Sequence, residues 1–303
     1  FCNSPSLAWR RMTHGRAASI CALLLVPLSS AFSPLYPNLI DRSSFPRSST
    51  PRASGWAVPL MSLSCAPEEV ARDPWKLVAS HPAAASAKLV EVFRYLEQHP
   101  ARLSGTEMGY EPSEIMARRK GRPFLDTPAS SLTPDDIPSG GSSLDHAKVA
   151  CSALQLACGG LDECHNAITP LSWDAPTHFG GAPVDSAARP EATLLHHLVH
   201  MREGQHVGEF GTGWNNAGFW SGALGPHPVL RQAHAAAAEL ARGNERLEHC
   251  MASDHPGGEL NPRKFLGLCL VAERDGDGEL VGFCEGVENA MLRLAFEAAY
   301  AKL

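Results

Sequence analysis

From Leu194 to Trp220 the chain reads LLHHLVHMREGQHVGEFGTGWNNAGFW, and histidine and carboxylate recur there at helical spacing. At about 100° per residue, His196, His200 and Glu203 share one helical face, while His197 turns to an adjacent one. Two imidazoles one turn apart suit a borderline metal such as zinc. A carboxylate one turn further on suits zinc, iron or manganese. An ion needs more donors, and His165 and Asp162 are the obvious ones from outside the stretch, with Glu163 and His206 as lesser additions. Such a site would activate water or bind oxygen. Glu203, if it stayed off the metal, would serve as a general base. Asn216 would orient a ligand beside the histidines or, like Asn215, cap the next helix. The same residues also have a structural reading. Eleven of the fourteen His lie between 146 and 255, and such residues often act as hydrogen-bonded core groups that hold loops like Trp173–Pro190 in place.

These side chains need helices to position them. Apolar residues at three- and four-residue steps predict helices over His81–Glu97 and Leu144–Cys158, then a short element at Leu161–Ile168. Pro190 opens the helix Glu191–Glu203. Further helices are expected around Asn215–Ser221, from Gly225-Pro226-His227-Pro228 to about Arg242, over Arg263–Glu273 and over Leu280–Leu303. No β-alternation and no internal repeat stand out. The fold class is all-α, a single compact multi-helix domain preceded by a disordered leader and a long connector. The expected organisation is 1–31 signal peptide, 32–61 transit-like segment, 62–142 short helices and flexible connector, and 143–303 helical core carrying the site.

Two loops imitate known ligand sites. Gly204–Gly213 is glycine-rich, but it follows a helix, lacks Lys and carries Glu209, which suits a lid or turn and not a phosphate cradle. Glu273–Leu280 carries Asp275, Asp277 and Gly278 in the manner of a calcium loop. Its closing position falls on Cys284, so a charged turn between helices is the better reading.

The leader has its own chemistry. Arg10, Arg11 and Arg16 precede the apolar run Cys21–Leu28, which ends at Ser29-Ser30-Ala31, the small residues a signal peptidase selects. From Ser33 to Ser54 the chain is Ser-, Pro- and Arg-rich with Asp41 its only acid, as transit peptides are. In series, the two resemble the bipartite presequence of plastid proteins in algae with secondary plastids. The resemblance implies a stroma-like location; a plain secretory signal with a spacer implies a secreted or endomembrane one. Residues 1–55 hold six Arg, no Lys and one Asp of the chain's 26 basic and 32 acidic residues, so the remainder carries 20 against 31, a net charge of −11. That balance disfavours nucleic acid, and no later run is long enough for stable membrane insertion. Nine Cys, no C-x-x-C and several Cys in apolar helical patterns point to reduced, buried thiols. A small-molecule ligand is the expected partner.

Four blocks in order carry a family resemblance: Leu161-Asp162-x-x-His165, His196-x-x-x-His200-x-x-Glu203, Asn216-Ala217-x-Phe219-Trp220 and Gly225-x-His227-Pro228. They resemble the ordered blocks of a helical protein family and cover about half of the chain, from near 150 to near 270. Met201 stands where that family carries arginine, Cys164 where it carries serine and Phe219 where it carries tyrosine. Gly204–Gly213 looks like an insertion. The resemblance implies a helical fold and names no reaction. Two functions therefore stand: a metal-assisted enzyme acting on a small molecule, or a non-catalytic assembly factor or binding module with structural histidines.

Overall fold

The computed structural model describes residues 66–103, 123–138, 143–177, 179–205, 207–208 and 211–303. The expected signal and transit segments, Cys65, His206 and Glu209 lie outside the described residues. Residues Pro59–Leu303 form one compact unit.

Ten α-helices make up the described part: α1 (Pro67–Arg72), α2 (Ala87–Gln98), α3 (Leu144–Ala157), α4 (Leu161–Ser172), α5 (Arg189–Glu203), α6 (Gly213–Ala223), α7 (Pro228–Ala241), α8 (Glu245–Asp254), α9 (Pro262–Asp275) and α10 (Gly278–Tyr300). The all-α expectation holds, apart from a two-residue hairpin pairing β1 (Val207–Gly208) with β2 (Gly211–Thr212) in the glycine loop. None of these helices is long and apolar enough to cross a membrane.

Helix α5 is the axis of the assembly. It packs against α3, α4, α6 and α10, and every residue from Glu191 to Arg202 is buried. That explains why its apolar pattern runs all round instead of forming one stripe. Its first turn is tied down by charge. The Glu191 carboxylate accepts a hydrogen bond from the Lys302 ammonium and faces Nε2 of His146 on α3 at 3.8 Å and Nε2 of His227 at 3.7 Å. Burial pushes the Glu191 carboxyl up, but His227 and Lys302 together bring it below its usual range.

Within 62–142, expected as short helices and a connector, the described residues 66–103 and 123–138 contribute to the same core. Trp75, Leu89, Phe93 and Leu96 are buried with the rest. Residues 123–138 form three proline-led 3-10 turns that bury Phe124, Ala129, Leu132 and Ile137. Their irregular spacing leaves no periodicity to read, which is why this part looked like a linker. Arg293 and Glu297 on α10 complete the attachment. Arg293 donates to Pro74 O and to Glu297, which also meets His81 Nε2 at 3.1 Å.

Several boundaries follow capping chemistry. Asn261 caps α9 through Arg263 N and Lys264 N. The imidazole Nδ1 of His227 accepts Val229 N and caps α7. Between α9 and α10, Gly276 takes the left-handed conformation and Asp277 accepts Glu279 N and Leu280 N. The supposed calcium loop is thus a charged turn whose acids are spent on a cap and on Arg246 and Arg274.

Candidate metal centre

Helix α4 lies along α5 and aims His165 at the histidine face. One ring nitrogen from each of His165, His196 and His200 lies within 4.8 Å of the others. The rings of His196 and His200 are nearly parallel with centroids 5.0 Å apart, and His165 stands edge-on to both at 4.8 and 5.5 Å. Closing on an ion at 2.0–2.1 Å would bring the three nitrogens to about 3.4 Å apart in a tetrahedral arrangement, a small contraction.

Each of the two α5 histidines in this group has a hydrogen-bond partner at Nδ1. Nδ1 of His200 stands 2.5 Å from Glu203 Oε2. An ionised carboxylate only accepts, so the proton sits on Nδ1 and the Nε2 lone pair is left for a ligand role. Nδ1 of His196 stands 2.8 Å from Ser172 Oγ, whose hydroxyl donates to Ile168 O at 2.9 Å. In that arrangement Ser172 accepts from Nδ1–H, which leaves the lone pair of His196 on Nε2. Burial holds the His196 imidazole well below its usual pKa, with further lowering from His200 and His165 beside it. It is neutral at pH 7, as a ligand must be.

Ser172 is the functional residue that sequence reasoning missed. The proline at 170 made Leu161–Ile168 look complete, yet α4 runs through Pro170 to Ser172. A helical proline leaves the carbonyl four residues earlier without its usual donor. Here the loop turns back onto that point: a Cβ on Gly180, which has φ +75°, would lie 2.0 Å from Asn166 O. Val184 N donates to Pro170 O. The extra turn of α4 and the loop Trp173–Pro190 therefore support each other beside the histidines.

Aromatic rings surround the imidazoles. Trp220 stacks on His196 at 3.8 Å and 19°, and Phe179 meets His165 edge-on at 4.9 Å. Helix α6, which brings Trp220, is seated by a close approach at Gly213. A Cβ there would lie 2.4 Å from Glu203 Cβ and 2.6 Å from His200 O. Only glycine lets α6 begin against the end of α5.

The remaining expected residues fall as follows. Asp162 is not in the converging group. It lies three residues before His165, about 4.5 Å up the axis of α4, where a carboxylate in the first turn faces the helix N-terminus. Glu163 sits in the same turn. Glu203 meets His200 through Nδ1, so it supports a histidine and is not a third-turn ligand. Asn216 lies half-buried in α6, and Trp220 one turn later is the residue that stacks on the trio. The α6 cap is neither Asn215 nor Asn216 but Thr212, whose hydroxyl accepts Asn215 N. His197 has a structural part: Nδ1 lies 3.0 Å from Ala217 O, tying α5 to α6, and burial pushes its pKa down to about 4.

The Glu191 cluster has a similar composition but the opposite polarity. His227 Nδ1 accepts a backbone N–H, and its Nε2 lies 3.7 Å from Glu191, beyond hydrogen-bond distance. That cluster is centred on a carboxylate to which Lys302 donates. The six described cysteines are all buried and unbridged, and burial raises Cys151 and Cys158 to about 12, which leaves them as inert thiols.

A scan against protein-family models and searches of the curated proteins and of the solved structures found no match to this chain.

Proposed function

We propose that the chain binds one divalent ion of borderline softness, zinc foremost, through His165, His196 and His200, and acts on a small molecule there. The observation that carries this is the convergence of three imidazoles, two of them held by hydrogen bonds at Nδ1. Backing of that kind fixes the tautomer and raises ligand basicity. An all-imidazole set suits zinc better than manganese, and the common facial triad of iron oxygenases includes a carboxylate, whereas Glu203 here meets His200. Zinc with three protein ligands supplies Lewis acidity and lowers the pKa of water to about 7. The chain's own groups would position the ligands: Ser172 and Glu203 hold Nδ1 of His196 and His200, and Trp220 covers the His196 ring.

For location we propose the plastid stroma, supported by the leader's two-part composition and by the unbridged cysteines. The four ordered blocks support membership of the helical family they resemble. The competing non-catalytic reading draws on His197, a buried histidine with a structural bond.

The test is metal analysis of the chain purified without chelators. About one equivalent is expected, lost in a His196→Ala/His200→Ala variant. A sub-stoichiometric content unchanged by the substitutions would overturn the reading in favour of structural histidines.

A further inference from the structure

We infer that the substrate of this site carries a flat, apolar ring that seats on Trp173 and Phe219. The inference rests on the metal-site reading and adds the class of molecule bound.

Three rings extend outward from the ligand His196. Trp220, 6% exposed, stacks on the imidazole and forms the buried wall. Trp173 and Phe219 each meet Trp220 at 5.5 Å and meet one another at 5.6 Å, all three pairs near T-shaped. They come from separate elements: Trp173 is the C-terminal cap residue of α4, and Phe219 and Trp220 are on α6. Folding therefore assembles the rings at the place where α4 and α5 bring the histidines together.

Their exposure is unusual for this protein. Phe219 is 39% exposed, more than any other Phe or Trp among the described residues, and Trp173 is half-buried. Elsewhere the large rings, such as Trp75, Phe93, Phe265 and Phe296, are fully buried. Ring surface left to water costs hydrophobic free energy that a stacked ligand ring recovers. Trp220 touches both the exposed rings and His196, so a small molecule bound beside it would meet both. Its polar, reacting group would face the ion and its ring would lie on Trp173 and Phe219. Apolar rings beside a few convergent polar groups are the usual lining of a small-molecule site.

Two metal-chelating probes that differ only in the ring separate the parts of the idea. Benzohydroxamate and acetohydroxamate bind zinc through the same two oxygens. Titrated into the zinc-loaded 303-residue chain, benzohydroxamate is expected to bind about five- to tenfold more tightly, the range that one aromatic contact provides. In Phe219→Ala and in Trp173→Leu that preference should shrink to about twofold or less, on the same scale. Equal binding of the two probes by the unmodified chain would overturn the ring platform while leaving the metal reading intact. Failure of both probes to bind would overturn the metal reading and this inference with it.

Discussion

The hydroxyl of Ser172 stands 2.8 Å from Nδ1 of His196 and 2.9 Å from Ile168 O. The last turn of α4 thus meets a buried imidazole on α5, and a hydroxyl that donates to Ile168 O keeps the ring proton on Nδ1. Glu203 does the same for His200 from within α5. With the proton on Nδ1 in both rings, these two contacts leave Nε2 as the nitrogen with a lone pair.

Removing either support should weaken the metal site without abolishing it. Ser172→Ala and Glu203→Ala are each expected to lower zinc affinity about 10- to 100-fold, the usual effect of losing a hydrogen bond behind a ligating histidine. Competition with a chromophoric chelator measures this. In the metal-free protein, nitrogen NMR of His196 should show the proton on Nδ1, with Nε2–H appearing in Ser172→Ala. A structural role alone would leave that signature unchanged.

Stability should fall in acid through the buried histidines. Burial depresses the pKa of His197 to about 4, so the unfolded state takes up its proton first, near pH 6.5. The contribution of His197 is fully present above pH 6.5 and is lost as pH falls from there toward 4, about 3 kcal/mol in total. His196 is depressed as well and acts in the same direction. Denaturant unfolding of the metal-free chain at pH 7.5 and 5 checks the sign. His197→Asn should flatten the dependence.

Close approach at Gly213 gives a third expectation. In Gly213→Ala the new methyl meets backbone atoms of His200 and Gly204 that cannot move independently. The substitution should cost about 1–3 kcal/mol, as overpacking does, and should loosen the Trp220–His196 stack. Thermal unfolding and tryptophan fluorescence report the two effects separately.

The α5 face was legible from spacing alone, because His196, His200 and Glu203 follow the helical period. The choice of His165 as the outside donor was also legible, as it lies in the next helical element upstream. Asp162, expected as a further donor, lies three residues before His165 in the first turn of α4 and is not part of the three-histidine group. Ser172 and Trp173 were hidden behind Pro170, which reads as a stop although the helix continues. Phe219 and Trp220 were visible as a block, but which ring meets His196 depends on α6 docking at Gly213, a tertiary contact. Helix α8 escaped notice because it buries only Leu247, Cys250 and Met251.

The most direct measurement is X-ray absorption at the zinc edge of the zinc-loaded chain. The expected first shell has about three imidazole nitrogens at roughly 2.0–2.1 Å with one further light atom, and His165→Ala should remove one nitrogen. A shell containing sulfur near about 2.3 Å, or one left unchanged by substituting His165, His196 and His200, would contradict a centre built on these three histidines.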